Sequence, residues 1–290
     1  MSAIENQETV IQAVNSLHPT TLFHFTKNEE AFYSILTELY FKPFLARERI
    51  VGVKGRRNFA VPMVSFCDIK LSQIKDHSGK YGEFGFGLTK EWAEKNDLHP
   101  VLYMNQGSEL FSKYNKRIRK LKDALIPLWS KRHILDNKER KYFESLKEEY
   151  ADLYNLLRYM KNYKGKLERT NEKTIENYIY ADEKEWRYVP HPFVGDLWPS
   201  LNLERVVEPN QKAVLSKKFS EFGIGFSFDD IKYILIPDDS HVSNLINCLM
   251  SIRNYDPYII SKVLGNDSNL LIVFYVQIMP NDFVMQLHRF

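Results

Sequence analysis

Two apolar seams govern what this chain can fold into. Phe111, Tyr114, Ile118, Leu121, Leu125 and Leu128 recur at alternating steps of three and four residues, and Phe143, Leu146, Tyr150, Leu153, Leu157 and Met160 repeat the pattern. That spacing lines each set along one side of a helix. At about two and a half heptads, neither seam is stable alone, so each is best satisfied by packing on the other. The sequence predicts an antiparallel helical hairpin over residues 108–165. Ser108 caps the first helix and Pro127 ends or kinks it. Asp136 with Glu139 opens the second helix, and Gly165 lies just past its end.

The same stretch is a charge island. Residues 113–170 hold 17 Lys/Arg against 8 Asp/Glu, a local balance of +9, whereas the rest of the chain carries 23 against 29, or −6. A basic segment on an acidic body points to an element with its own surface task. Lys116, Arg117, Arg119 and Lys120 are the candidate contacts to an acidic partner or to nucleic acid.

At 290 residues, with 44% hydrophobic and 14% aromatic side chains, the chain can bury a large core without a metal or disulfide staple. Cys67 and Cys248 match no zinc or redox spacing and fit a reducing compartment. Met1–Thr9 lacks the basic and apolar regions of a signal peptide. The most apolar run, Leu270–Met279, is about ten residues, too short to span a membrane. A cytoplasmic protein with no membrane partner is expected.

The flanks of the hairpin carry the strands. Thr21–Phe25 reads as a strand, followed by a Thr26/Glu29 capping box and a helix with Ala31, Phe32, Ile35, Leu36 and Leu39 on its apolar side. A basic loop at Lys54–Arg57 precedes a strand at Val61–Phe66. The glycine-rich stretch Asp76–Gly87 leads to a short helix, Thr89–Asn96, and a strand, Val101–Met104. After the hairpin come strands at Trp186–Val189, Ile231–Ile236 and Leu270–Gln277, and a helix at Ser240–Arg253. Neither flank has enough strands to close a core. The expectation is a single α+β domain over 1–290, with a split, mainly antiparallel sheet and the helical hairpin inserted in it.

Candidate chemistry is sparse. Gly79–Gly87 lacks the Gly-Lys-Ser/Thr of a phosphate loop and the spacing of a dinucleotide fold, so a tight turn with close backbone approach at Gly85 and Gly87 is favoured. The eight histidines are scattered, and no metal site is expected. Two polar groups remain. His24 sits inside an apolar strand, and Glu183-Lys184-Glu185-Trp186-Arg187 places two carboxylates on one strand face beside an arginine. In one account, Glu185 and Arg187 form a structural ion pair and His24 is a satisfied core histidine. In the other, Glu185 stabilises the oxocarbenium formed when the nicotinamide–ribose bond of NAD breaks. His24 and Thr26 then hold the cofactor, and Tyr81 or Tyr103 stacks on its nicotinamide ring.

The stretch Leu22–Met104 resembles the AbiGi family of abortive phage-resistance proteins. The matching features are His24-Phe25-Thr26, Val64-Ser65-Phe66-Cys67-Asp68-Ile69, His77 with Tyr81-Gly82-x-Phe84-Gly85-x-Gly87-Leu88, Lys90-Glu91-Trp92-Ala93 and Pro100-Val101-Leu102-Tyr103. The likeness resumes at Glu183-x-Glu185-Trp186-Arg187, covering the core and not the hairpin. What the resemblance implies is a role in abortive infection, as the antitoxin component of a two-gene system that binds a cognate toxin. The order His24, Tyr81 or Tyr103, Glu185 is also similar, more distantly, to ADP-ribosyltransferases such as the DarT-like toxins. That likeness implies an NAD-dependent transferase acting on nucleic acid or protein, on an ADP-ribosyltransferase-like sheet.

Overall fold

The computed structural model describes residues 19–167, 174–202, 208–252, 263–264 and 271–274. β1 (Thr21–Thr26) runs into α1 (Glu29–Glu38), and β2 (Tyr40–Phe41) leads to a long ribbon of β3 (Phe44–Gly52) and β4 (Gly55–Cys67). Then come α2 (Ile74–Tyr81), β5 (Phe84–Thr89), α3 (Lys90–Lys95), β6 (His99–Pro100) and β7 (Leu102–Met104). The hairpin is α4 (Glu109–Ser130) and α5 (Asn137–Arg158). It is followed by β8 (Met160–Asn162), β9 (Lys164–Leu167), β10 (Ile175–Ile179), β11 (Glu185–Tyr188) and β12 (Leu201–Asn202). The last described elements are α6 (Pro209–Lys217), β13 (Ile224–Gly225), β14 (Ile231–Ile236), α7 (Val242–Ser251), β15 (Val263–Leu264) and β16 (Leu271–Phe274).

The fold is α+β with a mainly antiparallel sheet. Its strand order is β15-β16-β14-β5-β1-β4-β11-β6, with β3 and β12 added along the outer part of β4. Strands from both sides of the hairpin interleave, since β4 pairs with β11 and β5 with β14. β7 and β8 form a separate parallel pair at the base of the hairpin.

Side chains alternate across a strand, and here both faces are covered. On one face Leu22, Phe66, Phe86, Leu88 and Ile234 meet Phe32 and Leu36 of α1, Trp92 of α3, and Leu245 and Leu249 of α7. On the other, Phe23 and Leu235 pack with Ile69 and with Ile74 of α2. The glycine run serves this second face. A Cβ on Gly87 would stand 2.8 Å from ring atoms of both Phe23 and Tyr233, and one on Gly85 would stand 2.6 Å from the His24 carbonyl. Bare backbone on β5 thus leaves room for the Phe23 and Tyr233 rings, which stack at 5.7 Å. Gly82, at φ 123°, makes the turn between α2 and β5, where a side chain would collide with the backbone of Thr26.

The hairpin seams meet as the spacing requires, and they also cover the ribbon. Phe111, Ile118, Leu121 and Leu125 pack with Phe143, Leu146, Tyr150 and Leu157, and both sets lie on Ile50, Phe59, Val61 and Met63 of β3 and β4. Burying side chains of this kind stabilises by about 1.5–3 kcal/mol each. Ser108 and the Asp136/Glu139 capping box close the two N-termini, and Pro127 lies inside the last turn of α4.

Several local expectations need correction. Asn28, not Thr26, caps α1, because its side chain reaches the Ala31 amide; the Thr26 hydroxyl instead accepts from the Asn28 amide. α5 stops at Arg158, with Met160 on β8 and Gly165 on β9. The first half of the glycine-rich stretch is helical, as α2. The basic loop is narrower than expected, since β3 and β4 run to Gly52 and from Gly55. Leu270 and residues 275–277 of the last expected strand, Arg253 of the preceding helix, and Met1–Thr9 lie outside the described residues.

Candidate functional site

Glu185 opens β11, whose neighbour is β4, and its register partner there is Cys67. Both oxygens of its carboxylate are engaged. Oε1 accepts from Arg187 Nε at 2.7 Å, and Oε2 accepts from Arg187 Nη2 at 3.1 Å and from Lys161 Nζ at 2.8 Å. Arg187 is wholly buried and also donates to Glu48 Oε1 at 2.5 Å and to the Arg158 carbonyl at 2.6 Å. Lys161 bridges onward to Glu183 at 2.7 Å. Five charged groups from β3, β8, β11 and the approach to β11 therefore form one node, three carboxylates around two cations.

Burial by itself would lift the Glu185 carboxyl, but Arg187 and Lys161 hold it down at about 2. Burial would likewise depress the Lys161 amine, yet Glu185, Glu183 and Glu48 keep it well above its ordinary value. Glu48 goes the other way. Burial raises its carboxyl, and Arg187 only partly opposes that. Of the two carboxylates bonded to Arg187, Glu48 is therefore the one that takes up a proton more readily.

Tyrosines ring the node. Tyr81, at the end of α2, donates to Glu183 at 2.5 Å, and its hydroxyl lies 3.1 Å from that of Tyr178. The Tyr103 hydroxyl accepts from the Glu185 amide at 2.9 Å. Lys161 Nζ sits 4.9 Å from the Tyr180 ring centre. Burial, reinforced for Tyr81 by Glu183, pushes the hydroxyls of Tyr81 and Tyr103 upward, so both remain protonated. Cys67 is likewise driven up by burial, which leaves an inert thiol.

The expected cofactor residues divide. Tyr81 and Tyr103 join Glu185, but His24 and Thr26 do not. Phe23 is the register partner of Cys67, so Phe23, Cys67 and Glu185 share a face, and His24 belongs to the reverse one. There His24 Nδ1 bonds the Ser65 carbonyl at 2.9 Å, and its ring packs on Phe41 and Phe66. Burial lowers its imidazole, against the bond to Ser65. Nicotinamide chemistry needs both residues on one cleft, and the sheet stands between them.

The four basic candidates also divide. Arg117 is tied to Glu149 of α5 at 2.5 Å, and Arg119 donates to the Arg56 carbonyl at 3.1 Å. Lys116 and Lys120 are exposed on α4. Among the described residues, no group of three or more His, Cys, Asp or Glu is arranged to hold a metal ion. No described helix is long and apolar enough to cross a membrane.

Glu48, Lys161 and Arg158 escaped sequence reasoning. Glu48 left a signal, because it shares strand parity with Ala46 and Ile50, both buried. Lys161 left none, since its partners lie 22 and 24 residues away, beyond β9 and β10.

Residues 44–237 match the model of the family described as "Putative abortive phage resistance protein AbiGi, antitoxin". The chain belongs to the AbiGi family. A curated relative, the abortive phage resistance protein AbiGi of Lactococcus lactis subsp. cremoris, is 29% identical over 195 residues, covering 62% of this chain and 73% of that protein. No solved structure matches the chain. The matched span runs through the hairpin, which the residue-level resemblance had left out, and includes all five charged groups of the node. His24 and Thr26 precede it.

Proposed function

We propose that this AbiGi-family chain acts in abortive infection as an antitoxin-type binding protein, restraining a partner toxin through the tip of its helical hairpin. The observation that carries the reading is the composition of that tip. Ile126, Ile134 and Tyr142 are exposed there, Ile134 at 81%, on a hairpin whose seams are already satisfied. Lys131, Lys138, Arg140 and Lys141 surround them, all exposed. The nearby acids Asp136 and Glu139 are consumed by the cap of α5. Apolar anchors in a cationic rim fit a protein partner with an acidic, partly apolar surface.

The charge node supports binding over catalysis. Glu185 accepts three bonds from two cations, is 5% exposed, and faces away from His24. A carboxylate so engaged has no free oxygen for a ribose hydroxyl. Isothermal titration with NAD is expected to give no binding heat; saturable binding in the micromolar range would restore the transferase reading.

The direct test is co-expression with candidate toxins taken from the genes flanking this one. The wild-type chain should relieve growth arrest and copurify with the toxin. The variant I126D/I134D/Y142D should do neither while keeping its helical signal and melting temperature. Full relief by that variant would overturn the assignment of the tip.

A further inference from the structure

The base of the hairpin carries a second surface, different in kind from the tip. Residues 49–58 and 110–122 together hold ten Lys/Arg and no Asp/Glu. The fold brings these two stretches together. The Lys54 amide donates to Ser112 Oγ at 2.9 Å, and Arg57 Nε to Asn115 Oδ1 at 2.8 Å. Arg119 reaches the Arg56 carbonyl, and a side chain on Gly52 would strike Phe111. The turn between β3 and β4 is therefore fastened against the first half of α4.

Within this surface, the cations sort by task. Arg57 is spent on Asn115 and on the Tyr154 hydroxyl at 3.2 Å, and Arg117 on Glu149. Lys54 and Lys113 have only loose contacts to Glu109, at 3.8 and 3.7 Å, and are 78% and 81% exposed. Lys116 and Lys120 are exposed with no ion-pair partner among the described residues. Positions 113, 116 and 120 fall on one side of the helix, spread over about 10 Å of its axis at 1.5 Å per residue. Like charges at such spacings oppose helix formation unless something outside the helix neutralises them.

We infer that this surface binds the phosphate backbone of a double-stranded nucleic acid, using Lys54, Arg56, Lys113, Lys116 and Lys120. A duplex offers one negative charge per about 1.7 Å of axis, which suits a compact array of five cations whose one nearby carboxylate, Glu109, is only loosely paired. A protein partner is disfavoured here, because protein interfaces are depleted in Lys, and the two stretches set ten cations against two exposed apolar side chains, Val53 and Leu110. No exposed aromatic lies within residues 49–58 or 110–122, so the stacking platform used by single-strand binders is missing. The contact reads charge and shape, not base sequence.

Fluorescence anisotropy with the full chain tests this, using a 24-base-pair DNA, an RNA duplex of equal length and the corresponding single strands. At least one duplex should bind, with a slope of log K against log salt of about −4, from roughly 0.9 per neutralised phosphate. K113E/K116E/K120E should weaken that binding at least tenfold and flatten the slope by about 3, with K113Q/K116Q/K120Q intermediate. Tighter binding to single strands, no duplex binding, or affinity unchanged by charge reversal would overturn the inference. Because I126D/I134D/Y142D should retain duplex binding and K113E/K116E/K120E should retain toxin relief, either proposal can fail without the other.

Discussion

His24 and Glu185 stand on opposite faces of one sheet, with β4 between their strands. The register fixes this, because Cys67 of β4 faces both Phe23 and Glu185. His24 is therefore turned toward Phe66 and Phe41, and Glu185 toward Arg187 and Lys161. Two residues that look like a catalytic pair in sequence order become members of two separate packing systems.

Glu185→Gln should consequently behave as a stability mutation. It leaves the buried Arg187 with Glu48 as its one carboxylate partner and weakens the hold on Lys161. Breaking a buried pair this way costs about 3–5 kcal/mol. At roughly 2–4 °C per kcal/mol for larger domains, the melting temperature should fall on the order of 10 °C. Replacing the pair and its second carboxylate together, in E48Q/E185Q/R187M, should recover much of the loss, because no charge is then left unpaired around β11. An E185Q protein with unchanged melting temperature and abolished phage protection would point to catalysis instead.

His24 should give a pH signature in the opposite compartment of the fold. Its imidazole is held below 6.5 by burial, so the unfolded chain binds this proton at a higher pH than the folded chain. Stability is therefore full above 6.5 and declines as pH falls, by about 1.4 kcal/mol per pH unit until the folded value is reached. His24→Gln keeps a donor for the Ser65 carbonyl but cannot titrate. Chemical denaturation between pH 5 and 7.5 should show a shallower acid decline for H24Q than for wild type. Parallel declines would mean that His24 is not held neutral.

What the sequence disclosed follows from locality. The seams of α4 and α5 were legible because helix packing repeats every three to four residues, and the caps at Ser108 and Asp136 because they act within three residues. β3 was hidden by its own chemistry, since Arg47-Glu48-Arg49 reads as a solvated stretch until the ribbon shows Glu48 directed inward at Arg187. The charge node joins positions 48, 161, 183, 185 and 187, and no local pattern encodes a meeting across 139 residues. The covering of β3 and β4 by the hairpin was equally non-local. Period alone indicates that each seam must be buried, not how many surfaces share the burial.

The glycines of β5 make a packing prediction. Gly87→Ala adds a methyl 2.8 Å from the rings of Phe23 and Tyr233, closer than ordinary contact allows. Overpacking of this kind costs about 1–3 kcal/mol. Phe23→Leu shortens one of the two obstructing side chains, so G87A/F23L should be more stable than the sum of the single effects predicts. Strict additivity in urea denaturation would show that the two positions do not compete for one space.

Asn162 makes the last prediction, because it acts as one residue of a missing strand. Its Oδ1 accepts from the Val51 amide at 2.8 Å, and its Nδ2 donates to the Val51 carbonyl at 2.9 Å. Both Val51 groups point away from β4, along the open edge of the ribbon, and a single side-chain amide satisfies the pair as a strand neighbour would. The contact also fastens β8, at the foot of α5, to β3. Asn162→Ala leaves a donor and an acceptor unmatched at a half-buried position, for a loss of about 1–3 kcal/mol. Asn162→Asp should cost more, since it sets a carboxylate oxygen against the Val51 carbonyl. Amide exchange gives the site-specific readout, and Val51 should lose protection on the order of tenfold or more in Asn162→Ala, which removes the acceptor of its amide. The amides of Phe23 and Ile234, deep in the main sheet, should follow only the global change in stability. Equal loss at Val51 and Ile234 would mean that the Asn162 clamp has no local role, and that the base of the hairpin is held by its apolar seams alone.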